Sequence, residues 1–131
     1  MNPPSVDIKD MLDADSNLSL TFAENLFVSE MPTAPDLCVA IYDASGDDLA
    51  PNFVYERPHV QIRVRGAKGQ YSEAHLLAQT IRDTLNGTTN YEINSARYIG
   101  IWSMGDILFL GYDDNHRPLL TMNFRLHRTN A

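Results

Sequence analysis

The sequence predicts an α+β fold. The expected form is a two-layer domain, with a mainly antiparallel sheet, a long helix packed on one of its faces and a short helix at the N-terminus. Three observations lead there. His59–Arg65 alternates, with Val60, Ile62 and Val64 on one side and His59, Gln61, Arg63 and Arg65 on the other, the pattern of a half-buried strand. Residues 72–86 repeat Ala74, Leu77, Ala78, Ile81 and Leu85 at helical spacing, and Gly87 follows as a closing residue. The C-terminal third consists of short alternating or apolar runs joined by tight turns, which makes neighbours antiparallel.

Each element has its own signal. Residues 1–4 form a loose end, and Ser5 is placed to cap a short helix to about residue 15, with Ile8, Met11 and Leu12 as its apolar stripe. Residues 18–22 and 25–29 read as one bent strand or two short ones, and two prolines within residues 31–35 then break the chain. Residues 37–42 are apolar almost throughout, as in a central strand. The polar stretch 43–52 holds Gly and Pro and reads as a surface loop. After the strand His59–Arg65 and a Gly-containing turn, Ser72 is the expected cap of the long helix. Strands are expected at residues 91–94, 98–104, 107–112 and 119–128. The turn at Met104, Gly105 and Asp106 is read as a tight hairpin, and the turn at Asp113, Asp114 and Asn115 as the next one. The last strand points Leu120, Met122, Phe124 and Leu126 inward and Thr121, Asn123, Arg125 and His127 outward.

The length, 131 residues, suits one domain spanning residues 1–131, and a composition of 44% hydrophobic and 21% charged residues is that of a chain with a packed core. No apolar run reaches the roughly 18 residues a membrane helix needs. The first residues lack the basic and apolar regions of a signal peptide, and the single Cys38 sits in an apolar run as a core residue; folding in the cytosol is expected. The net charge of −7 excludes nucleic-acid binding by general attraction over the whole surface.

The sequence offers little for catalysis. The four histidines (His59, His75, His116 and His127) stand at no metal-ligand spacing, and the Asp-rich stretches 43–48 and 113–115 read as turns, not as calcium loops. Nucleophile-elbow, phosphate-loop and dinucleotide fingerprints are absent. No catalytic, cofactor-binding or metal-ligating residue is assigned. The one surface signal is the arginine-bearing strand, a contact face suited to an acidic partner because guanidinium pairs with carboxylate in a bidentate fork.

Two blocks together carry a resemblance: RPHVQIRVRG followed by the helix SEAHLLAQTIRDTL, and LGYDDNHRPLLTMNFRLHR near the C-terminus. Across residues 36–128 the chain resembles the phage minor capsid family that covers tail terminator, or tail completion, proteins of long-tailed bacteriophages. The resemblance implies a structural virion protein with no catalysis and no cofactor. It would assemble in the host cytoplasm and form a ring, usually a hexamer, on the head-proximal end of the tail. It would contact the tail tube protein, stop tube polymerisation and join the tail to the head–tail connector protein. DNA would pass through without specific binding, and no membrane is involved. Arg57, Gln61, Arg63 and Arg65 match the family's charged strand, and Asp113, Asp114 and Arg117 its hairpin tip, as interface residues. A ring needs two different complementary patches, and the basic strand and the acidic loop 43–48 are the pair expected from sequence. Two other readings remain beside it: a small monomeric adaptor for an acidic protein partner, and a small hydrolase or nuclease using the loop and hairpin carboxylates.

Overall fold

The computed structural model describes residues 1–47 and 55–131. Eight strands form one sheet: β1 (Leu26–Val28), β2 (Cys38–Ala44), β3 (Tyr55–Glu56), β4 (His59–Arg65), β5 (Thr89–Ile93), β6 (Ala96–Ser103), β7 (Leu108–Tyr112) and β8 (Pro118–Asn130). The described residues also form two helices, α1 (Pro4–Ala14) and α2 (Tyr71–Leu85). The main path runs β1-β2-β4-β8-β6-β5, with β3 and β7 also on β8. All pairings are antiparallel except β1 with β2.

The two-layer α+β expectation needs correction. The chain is mostly sheet, 41% strand against 21% helix, and the sheet curls into a half-barrel; it is not a sheet lying under one long helix. Lengths give the reason. The 13 residues of β8 span about 43 Å at ~3.3 Å each, whereas the 15 residues of α2 span about 22 Å at ~1.5 Å each, so α2 cannot cover the sheet. Both edges of β8 are instead shared end to end. β4 and then β3 follow one edge; β7 and then β6 follow the other. So long a strand accumulates twist, and register shifts at Tyr98/Gly100 and Phe109/Gly111 add bends.

The same topology corrects the turn at Gly105. β6 and β7 are both antiparallel to β8, so they run in the same direction along one edge and form no hairpin. The hairpins are β5–β6, through Asn94 and Ser95 with φ of 52° and 65°, and β7–β8, through the Asp113–Arg117 turn. Residues 18–22 form no strand beyond a single bridge from Phe22 to Leu26.

The core lies between the inner sheet face and the helices. Val60, Ile62 and Val64 meet Ala74, Ala78 and Ile81, all fully buried, with Leu85 nearly so, and α1 adds Ile8 and Leu12. Ser5 does not cap α1. The helix begins one residue earlier, at Pro4, and the β2 carboxylate of Asp43 accepts both the Ser5 N–H (2.9 Å) and its hydroxyl (2.7 Å). An acceptor from a distant strand thus replaces the local cap. α2 begins at Tyr71, one residue before the expected cap Ser72.

A polar cluster is buried beside this core. Asp7 has no exposed surface. Its Oδ1 accepts Asn94 (2.9 Å), and its Oδ2 accepts the Tyr98 hydroxyl (2.5 Å) and the Arg128 guanidinium (3.3 Å). Arg128 also donates to Glu56 and to the Asn2 carbonyl. Burial, and then the bond to Asp7, push the Tyr98 hydroxyl well above the ordinary tyrosine value. The cluster ties α1, β3, β6 and β8 together, and it satisfies the polar groups it buries.

Candidate assembly surface

The outer face of the sheet is the side away from the helices. Cross-strand pairing places the residues in rows: Trp102, Arg125, His59 and Ala44; then Asn123, Gln61 and Tyr42; then Thr121, Arg63 and Ala40. At the β1 side Phe27, Cys38 and Ala40 are buried and form a second small core cluster, with Met31 and Tyr42 packed against it. The remainder is basic. The Arg63 guanidinium lies 5.2 Å from the Tyr42 ring centroid and bonds Gln61 (3.0 Å), and that of Arg125 lies 5.3 Å from the Trp102 ring. Stacking on rings fixes the guanidinium and leaves N–H groups for a partner.

His127 sits among these charges. Its Nδ1 is 2.8 Å from the Tyr55 hydroxyl and its ring is 4.7 Å from that of Trp102. Burial first, and then the charges of Arg125 and Arg57, hold its pKa below the ordinary histidine value, with Asp47 opposing. His59 lies 3.9 Å from Asp47.

Two residues expected on the surface are buried. Arg65 is only 4% exposed and donates to the carbonyls of Pro35 (2.7 Å) and Asp36 (3.1 Å). Arg117 is 6% exposed and reaches the Thr33 carbonyl (2.5 Å), Asp36 (3.1 Å) and Asp113 (2.8 Å). Both arginines clamp the segment that leads into β2, because its carbonyls find no strand partner and a multi-donor fork satisfies several at once. Arg65 therefore does not belong to the exposed face, and Arg117 does not project from the hairpin. Asp113 accepts the backbone N–H groups of Asn115 and Arg117 as well as the Arg117 side chain, so it is held by its own turn; Asp114 is exposed. Burial works against the charge of Asp113, but these bonds outweigh it and lower its pKa. Arg57, Gln61 and Arg63 are half-buried. The acidic loop 43–48 is not one patch: Asp43 is committed to α1, Asp47 stands beside the basic face, and Asp48 lies outside the described residues.

A second surface was not singled out from sequence. Among the described residues β7 pairs with β8 along one edge only, and Leu108, Phe109, Leu110 and Tyr112 are all at least 40% exposed. On the helix side, Phe109 meets Tyr71 edge-on at 5.3 Å and Tyr112 at 5.3 Å, and Tyr112 stacks on His116 at 4.2 Å. An apolar strand with an open edge and no Lys or Pro is a template for association. The apolar run at 107–112 was legible; that it sits at an edge was not. Among the described residues, no group of three or more His, Cys, Asp or Glu is placed to hold a metal, and no helix is long and apolar enough to cross a membrane.

Among the described residues, the open surfaces are thus the β7 edge and the basic sheet face. The profile of the bacteriophage tail terminator protein family matches residues 7–130. The chain belongs to the bacteriophage tail terminator family. It is thus a structural protein of the phage tail. No curated protein matches the sequence. Among solved structures, a chain from the virion of a native gene transfer agent particle is similar, with a TM-score of 0.72 at 17% identity, covering 96% of this chain and 94% of that one. A second solved structure aligns over 95% of this chain and 90% of its own, with a TM-score of 0.53 and 12% identity. At these identities the likeness concerns the fold. Within the family frame, the basic face and the β7 edge are the terminator's two candidate contact surfaces.

Proposed function

We propose that the chain is the subunit of a closed ring, a hexamer, at the head-proximal end of a phage tail. There it stops growth of the tail tube and joins the tail to the head–tail connector, and DNA passes through without specific binding. The protein acts by assembly and not as an enzyme. The observation that carries the reading is the apolar open edge of β7, set on a chain of the terminator family: five consecutive positions with four exposed large apolar side chains call for a covering partner. The basic face of Arg57, Gln61, Arg63 and Arg125 is the second contact, and the exposed Asp114 lies beside the β7 edge at the β7–β8 turn.

Native mass spectrometry and negative-stain images of the purified protein test the reading. A single closed oligomer is expected, and Leu108→Lys with Leu110→Lys should prevent it. A monomer at all accessible concentrations, alone and with tail tubes, would leave the second reading, a monomeric adaptor. Arg63 and Arg125 favour that one, since among the described residues neither has a salt-bridge partner within the chain.

A further inference from the structure

The domain is polar in charge from front to back. Its outer sheet face presents Arg63 and Arg125, held over Tyr42 and Trp102, with no carboxylate in salt-bridge range among the described residues. On the opposite side, the C-terminal end of α1 is acidic. The last turn of α1 holds Asp13 and no basic residue, and Asp15 follows its final residue, Ala14. Asp13 accepts the Phe22 N–H at 3.4 Å, which brings the exposed Glu24 to the same end of the domain. Lys9, the nearest cation on α1, is tied to Asp10 at 2.6 Å. The carbonyl end of a helix already carries negative partial charge, so carboxylates there are in the unfavourable place for an isolated subunit.

We infer that the acidic end of α1 in one copy, with Asp13, Asp15 and Glu24, seats on the Arg63 and Arg125 face of the next copy. The inference rests on the ring reading above. It replaces the acidic loop 43–48 as the complement of the basic face. The contact is between two different patches, the kind that closes into rings. The stacked guanidiniums are already ordered, so they lose less freedom when they donate to carboxylates. Charge opposition of this kind sets orientation and partner choice between copies.

Four proteins test it, each checked by circular dichroism and urea unfolding: wild type, Arg63→Glu with Arg125→Glu, Asp13→Lys with Asp15→Lys, and all four substitutions in one chain. Native mass is measured over a range of concentrations. Each double variant should raise the concentration for half-assembly by roughly tenfold or more, an effect that shrinks at high salt. The fourfold variant, with the charges exchanged, should regain most of the loss. If the wild type itself forms no ring, the proposed function fails, and this inference with it. If the wild type forms rings and the double variants assemble equally well, only the inference fails. Loss without recovery in the fourfold variant also overturns it. So does unchanged assembly with weakened binding of the arginine variant to duplex DNA, since the face would then serve a phosphate backbone.

Discussion

Removing the Arg128 guanidinium tests the buried cluster most severely. Arg128 is 5% exposed and Asp7 not at all, with Nη1 and Oδ2 3.3 Å apart. At that distance an effective dielectric near 20 gives an attraction of about 5 kcal/mol. Leaving a buried charge uncompensated costs about 3–5 kcal/mol. Asp7 would keep its bonds from Asn94 and Tyr98, so the lower end applies, about 3 kcal/mol for Arg128→Met. With a urea m-value of about 1.5 kcal/mol/M, the unfolding midpoint should fall by about 2 M. The cost is that of a stranded carboxylate, so removing both charges should be milder. Asp7→Leu combined with Arg128→Met should be more stable than Arg128→Met alone. A midpoint shift below about 0.5 M, or two single effects that simply add, would refute the reasoning.

Three further outcomes are expected. Ile81→Asp puts an unpaired charge into the contact with Val60, Ile62 and Val64 and should cost about 3 kcal/mol or more; equal stability in urea would remove that core. Asp43→Ala withdraws the acceptor at the start of α1 and should cost about 1 kcal/mol, read as a lower unfolding midpoint and faster amide exchange in α1; unchanged exchange would count against the cross-strand cap. The folded pKa of His127 is depressed, so the unfolded chain takes up its proton first as pH falls. Stability should therefore drop through the unfolded value of about 6.5 and level off below the folded value; His127→Gln should flatten that part of the stability profile, and an unchanged profile would contradict the assignment.

Periodicity carried the parts of the fold that one element determines alone. The alternation of β4 and the inward row of β8 appear in the buried core, and so does the stripe of α2 apart from Leu77, which is half-buried at its margin. What periodicity does not encode is which strand lies beside which. β8 reads as an ordinary alternating strand; only in three dimensions does it serve as a backbone with two strands on each edge, so the curl of the sheet and the exposure of β7 stayed hidden. The site was legible to the same depth. Arg63 and Arg125 fall on the face their alternation predicts. Arg65 shares that face, but carbonyls some 30 positions earlier in the chain draw it inside. Asp7 is the strongest case. A carboxylate in the first turn of a helix reads as an exposed residue favoured by the dipole, and it is buried because Arg128, 121 positions away, meets it there.

A terminator-family chain that works as proposed, by closing over the end of a growing tube, should limit the length of that tube. The most direct measurement is the length distribution of tail tubes in electron micrographs, with tube protein polymerised alone and with increasing amounts of this protein. Tubes should stop growing, each with a ring at one end, and the cap should be lost in the Leu108→Lys, Leu110→Lys variant although that variant remains folded. Tubes that elongate equally with and without the protein, and bear no ring at either end, would contradict the proposed role.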